Sequence, residues 1–190
     1  MTVGALSAIL CLASGIFGRP AWDLDKCAER AAVVLAAATR HGVDPLLMVA
    51  LDVHECELRD KDAPVYKVVG GREFLAGYDA CPMGVRVMGV EHRAQYDDAA
   101  LYELAAARLE RWKRWCDRGH PGRRYRAHLP AGHHYVAHYN QGNPTYANQV
   151  LAIRDVLRGR FVQASSRSGL TPRTEDIVQR YQKIYRRRRS

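Results

Sequence analysis

Close cysteine pairs are missing from this chain: the five cysteines stand apart at 11, 27, 56, 81 and 116, and no C-x-x-C occurs. That removes the usual spacing of a structural zinc site. A second histidine is missing as well. His54-Glu55 opens the pattern H-E-x-x-H, but residue 58 is Leu, so the zinc helix that needs a ligand one turn later is not completed. There is no internal repeat, which excludes a solenoid. Acidic residues are in deficit, 20 against 29 Lys and Arg, giving a net charge of +9 and a pI near 9.6. An acidic, polycation-binding protein is thereby excluded, and an anionic partner such as a wall polymer, a membrane surface or nucleic acid is favoured.

What is present suits one compact domain with a tail. The chain has 190 residues, of which 47% are hydrophobic and 26% charged, so it can bury a core. Residues 1–18, MTVGALSAILCLASGIFG, hold an apolar run of signal-peptide length, with Ala13-Ser14-Gly15 as the best cleavage site. The run is too short to span a bilayer comfortably, and it holds no Lys or Arg. It is read as an export signal, which implies a periplasmic or extracellular protein, or one carried in a phage virion. Removing it takes Cys11 away and leaves Cys27, Cys56, Cys81 and Cys116, an even number that suits disulfides in an oxidising compartment. Four cysteines allow three pairings, and spacing does not choose among them.

Helical signals dominate. Alanine-rich AERAAVVLAAATR predicts a helix from about 23 to 40, ended by Gly42. Asp44-Pro45 opens a second, running to Glu55 or Cys56. PVYKVV-GG-REFL predicts a β-hairpin about a Gly-Gly turn. A long amphipathic helix follows from about 97 to Gly119, with Leu101, Leu104, Ala105, Leu109 and Trp112 as its apolar positions. RGHPGRRYRAHLPAG is a basic loop, and two shorter helices, HHYVAHYN and NPTYANQVLAIRDVLRGR, flank Gly142-Asn143-Pro144. From about 161 the chain becomes a basic linker and tail ending in YRRRRS, with a possible terminal helix at 174–187. The resulting division is 1–18 signal, 19–160 domain, 161–190 tail.

One carboxyl is out of place among these elements. Met48, Leu51 and Glu55 share a helix face at i, i+3 and i+7, so the face that builds the core carries a carboxyl at its end. Apolar neighbours disfavour an ionised carboxyl and make it a usable general acid near neutral pH. Glu57 points elsewhere and is expected to be solvated. Asp52, Asp60, Asp62 and Asp79 are the other carboxylates close to it along the chain, each available as a second acidic group. His133, His134 and His138 crowd one segment, but no acidic or thiolate ligand accompanies them, so a surface or cleft-lining role is expected and no metal.

HGVDPLLMVALDVHECELRD resembles the catalytic-helix signature of the lytic transglycosylases and goose-type lysozymes, a G-[VI]-[DP]-P-type start ending in E-S-x-[FL]. Glu55 falls on the catalytic glutamate, Cys56 on the usual Ser and Leu58 on the apolar position. AHYNQGNPTYANQVL resembles that family's A-x-Y-N-x-G…Y-x-x-x-V segment. CPMGVRVMGV sits at its G-L-M-Q segment, with Gly84-Val85 in register but Arg86-Val87 where Met-Gln is usual. The blocks keep the family's order over residues 42–158.

The resemblance implies a mainly α (α+β), lysozyme-like helical domain with a small β-hairpin, acting on peptidoglycan without a cofactor and as a monomer. It implies Glu55 as the catalytic acid and base, Tyr139 beside it to orient it, and Asn140, Met83, Gly84 and Tyr146 in contact with the glycan. A bridge from Cys56 to Cys81 would tie the catalytic helix to the far wall of the cleft, leaving Cys27 to pair with Cys116. The expected reaction is lytic transglycosylation. The alternatives are a hydrolytic muramidase on the same fold, or a non-catalytic module that binds glycan, or nucleic acid through RRYR at 123–126 and the Arg-rich tail. The basic tail could instead serve an anionic wall polymer or a secretion or phage assembly partner; no specific nucleic-acid motif accompanies it.

Overall fold

The computed structural model describes residues 1–17, 22–59, 61–119, 134–140 and 145–166. Six helices and one sheet are seen among them: α1 (Val3–Phe17), α2 (Leu24–His41), α3 (Pro45–Cys56), β1 (Ala63–Val69), β2 (Arg72–Ala80), β3 (Val85–Met88), a 3₁₀ turn (Val90–Gln95), α4 (Asp98–Asp117), α5 (His134–Ala137) and α6 (Tyr146–Ser166). The protein is mainly helical with a small antiparallel sheet, order β1-β2-β3. The basic loop from 120 on, His133, Gly142-Asn143-Pro144, Asp60 and residues 167–190 with the Arg-rich tail lie outside the described residues, whereas 161–166, expected to begin the linker, continue α6.

Local chemistry sets the helix ends. Asp23 accepts from the Lys26 amide and Asp97 from the Ala100 amide, each satisfying a free donor of a first turn. Asp44 caps α3 through the Leu46 amide, and Pro45 takes the first helical position. Gly42 closes α2 with φ of 60°. The hairpin forms about Gly70-Gly71 as predicted. The segment 85–88, unassigned to any element from sequence, adds the third strand by pairing Ala80 with Val85 and Gly77 with Met88.

α3 is the central helix. Leu46 to Leu51 are all buried, since α2 and α6 cover its sides and α1 also touches it. Met48 and Leu51 are in the core as their spacing predicts. In α4 the prediction fails at one position. Tyr102 is fully buried while Leu104 is exposed, because α4 turns Leu101, Ala105 and Leu109 inward and Leu104 toward a groove beside β3. Tyr102 donates to buried Asp52, and Arg30, itself buried, pairs with Asp98 at 2.9 Å and lies against the Tyr102 ring.

The apolar run at the N-terminus is a packed helix. Leu6, Ile9, Leu10 and Ala13 of α1 are in the core, and Cys11 is bridged to Cys27 of α2. The expected Cys27–Cys116 bridge is therefore replaced, and Cys116 is a free, half-buried thiol. Cys56–Cys81 is formed as expected. Two disulfides suit an oxidising compartment. Among the described residues no single helix is long and apolar enough to cross a membrane.

α2 and α4 are also joined by charge. His41 Nδ1 lies 2.8 Å from Glu110 and Nε2 2.7 Å from Glu103, so the doubly protonated ring fits the pair best. The hydrogen bond to Glu110, with Glu103 adding to it against partial burial, raises His41 above its ordinary 6.5. At Glu103 burial pushes upward, but the bonds from His41 and Arg40 outweigh it and the net shift is down. The His41 bond lowers Glu110 likewise. A raised folded-state pKa gives stability that is complete below 6.5 and lost as pH rises through the folded value; lowered carboxylates give stability lost toward acid. The triad thus stabilises most at mildly acidic pH. In His41→Asn the thermal midpoint should fall more at about pH 5.5 than at about pH 8.5, as read by circular dichroism melts; equal losses would disprove the linkage.

Candidate active site

The last turn of α3 delivers Glu55 to a cleft of about 300 Å³ between the helices and the sheet, lined also by Asp79, Gly84, Arg86, Arg108, Tyr139 and Asn140. The carboxyl keeps 21% of its exposure, enough to meet a ligand while held on its inner side. Tyr146, at the start of α6, donates its hydroxyl to Glu55 Oε1 at 2.5 Å. Burial, then the neighbouring Glu55 charge, pushes the Tyr146 phenol far above its ordinary value, so it stays protonated and remains a donor.

The opposite wall approaches closely. Gly84 has φ of 57°, and a Cβ there would stand 2.9 Å from Glu55 Cβ and 3.1 Å from Oε2. Only glycine allows both the conformation and the approach. Met83 beside it has φ of 76°, and Glu57 and Leu58 just after the turn that carries Glu55 have φ of 52° and 55°. Left-handed backbone at three non-glycine residues costs roughly 1–3 kcal/mol each and collects where the surrounding structure enforces a site. Here the Cys56–Cys81 bridge joins the two strained segments.

Tyr139 lies in the cleft but does not bond Glu55. Its hydroxyl donates to the Met83 carbonyl at 2.9 Å, fixing the Gly84 wall, and its ring lies parallel to Tyr146 with centroids 6.3 Å apart. Burial and then the Glu55 charge keep this phenol protonated too. The contact with Glu55 expected of Tyr139 is made instead by Tyr146, which the resemblance placed on the glycan. Asn140 is exposed at the cleft rim. Met83 is fully buried, so it supports the wall through its backbone and does not present its side chain to a ligand.

The other carboxylates separate by their partners. Asp52 is buried against Tyr102, and Asp62 accepts from the Cys81 amide and pairs with Arg93 at 2.6 Å. Asp79 alone of these lines the cleft, and both its oxygens are bonded by Arg86. Glu57 is not solvated as expected but half-buried and paired with Arg59 at 2.5 Å, because the left-handed cap folds it back. His138 is likewise not a surface group: it is buried and stacked on Trp112 at 4.6 Å, and burial lowers its pKa.

Two site residues escaped the sequence. His54 is inward-facing: Nε2 lies 3.1 Å from Gln149 Oε1, while buried Nδ1 has no hydrogen-bond partner and lies 3.8 Å from Glu55 Oε1. Its adjacency to Glu55 was visible, but only the α3–α6 packing turns the ring toward the carboxyl. Arg108 of α4 donates to the Tyr139 carbonyl and covers the Tyr139 ring at 4.9 Å. Nothing in its surroundings along the chain marks it.

No family model, curated protein or solved structure matches this chain. The function is therefore argued from the site.

Proposed function

We propose that the protein is a peptidoglycan lytic transglycosylase on a lysozyme-like scaffold, exported to act on the wall, with Glu55 as its single acid and base. The observation that carries this reading is the Glu55 carboxyl, bonded by the Tyr146 hydroxyl and opening into a polar cleft, in a chain carrying three sequence blocks that resemble the transglycosylase order.

Glu55 Oε1 accepts from the Tyr146 hydroxyl, so the transferable proton is assigned to Oε2, beside Gly84. Glu55 gives that proton to the oxygen between N-acetylmuramic acid and N-acetylglucosamine as the bond from muramic C1 breaks. The muramic 6-hydroxyl then attacks C1, and its proton returns to the Glu55 carboxylate. The product is a 1,6-anhydro end; no water is consumed and the acid is regenerated. A muramidase would need a second carboxylate for water or a nucleophile. Asp79 is the described carboxylate sharing the cleft, and its engagement by Arg86 weighs against that role.

Mass spectrometry of soluble fragments from purified peptidoglycan tests the reading. Anhydro ends are expected; reducing ends would make the enzyme a muramidase, and no fragments would leave a glycan-binding module. Tyr146→Phe should lower kcat about tenfold, as one charge-assisted bond of about 1.5 kcal/mol is lost, with little change in KM. An unchanged kcat would remove Tyr146 from the mechanism.

A further inference from the structure

The Glu55 cleft does not end at Arg86 and Arg108. Both residues also line a second hollow of about 530 Å³, so the two cavities share a wall. One row of α4, Leu104, Arg108 and Arg111, forms a side of this groove at i, i+4 and i+7, and Met88 of β3 faces it. Leu104 and Met88 are 41% and 39% exposed, an apolar floor left open beside a catalytic cleft.

The charge of the groove has one sign. Among the described residues no Asp or Glu lines it. Arg86 is matched by Asp79, but Arg108 spends its hydrogen bond on a backbone carbonyl, and Arg111 lies over the Trp112 ring at 5.4 Å. Two guanidinium groups one helical turn apart therefore stand without a carboxylate bonded to either. Guanidinium is the side chain best matched to carboxylate, through paired N–H donors. Adjoining apolar surface suits an acyl or peptide group more than a bare phosphate.

We propose that this groove is a subsite for a carboxylate-bearing peptide substituent of the glycan strand cut at Glu55, with Arg108 and Arg111 on the carboxylate and Leu104 and Met88 beneath the aliphatic part. This rests on the peptidoglycan reading and adds to it the part of the substrate that the enzyme recognises. Peptidoglycan carries such peptides on the muramic lactyl group, next to the scissile bond, and the shared wall gives one strand access to both cavities.

The test is calorimetric binding of a stem-bearing muropeptide fragment to the full chain carrying Glu55→Gln, so that cleavage is not required. Adding Arg111→Gln should weaken binding about tenfold, the loss of one charge-assisted bond. Arg111→Lys should recover part of it. A fragment with its carboxyls converted to amides should bind weakly and equally to both proteins. Unchanged affinity in Arg111→Gln, indifference to amidation, or tighter Arg111-dependent binding of an oligonucleotide than of the fragment would overturn the proposal. Discrimination here without anhydro products from the unsubstituted enzyme would sink the cleavage reading and keep the subsite. Anhydro products without discrimination would do the reverse.

Discussion

Glu55→Gln should abolish peptidoglycan cleavage, lowering kcat by about 10³–10⁴-fold while fragment binding is retained. The amide keeps the shape and can still accept from Tyr146 through its carbonyl oxygen, so the fold and the cleft should persist. What it cannot do is give a proton to the leaving oxygen or take one from the 6-hydroxyl. General acid–base assistance is worth roughly 10²–10⁴-fold at one step, and in the proposed mechanism both steps depend on the same group. The measurement is the rate of anhydro-end release by wild type and variant, with melting curves to show equal folding. A variant retaining more than a tenth of the activity would mean that another group supplies the proton, and Asp79 would be the next residue to replace.

Removal of residues 1–17 should leave a chain that does not fold cooperatively. Burying Leu6, Ile9 and Leu10 is worth about 1.5–3 kcal/mol each, so the helix carries roughly 5–9 kcal/mol, comparable with the roughly 5–15 kcal/mol that stabilises a whole domain. The Cys11–Cys27 link adds about 2–4 kcal/mol and would be lost with it. Circular dichroism of the truncated chain should show no sharp thermal transition where the full chain shows one. Non-reducing peptide mapping of the full chain should recover Cys11–Cys27 and Cys56–Cys81, with Cys116 open to alkylation. A truncated chain with an unchanged midpoint, or a Cys27–Cys116 peptide, would support the reading of this run as a dispensable leader.

Much of the architecture was legible from residue order because its causes are local. Asp23, Asp44-Pro45, Gly42 and Gly70-Gly71 act within a turn of themselves, and each ends or begins an element where expected. The register of Met48, Leu51 and Glu55 is likewise a property of one helix, so the placing of a carboxyl at the end of an apolar face was readable. The Cys56–Cys81 bridge followed from the resemblance of the blocks around it.

Where two distant segments meet, the chain alone gave less. Cys11 reads from the sequence as part of a leader, and only the packing of α1 on α2 brings it to Cys27. Tyr139 and Tyr146 were both visible, but which hydroxyl reaches Glu55 depends on how α6 lies against α3. The orphan nitrogen of His54, the approach of Gly84 and the guanidinium row on α4 are products of the same assembly. The sequence by itself determined the helix ends, the hairpin turn and the placing of Glu55 at the end of an apolar helix face, through interactions spanning a few residues. Tertiary structure decided its hydrogen-bond donor, the Cys11–Cys27 pairing and the groove beside it, since those depend on contacts between segments 16 to 91 residues apart.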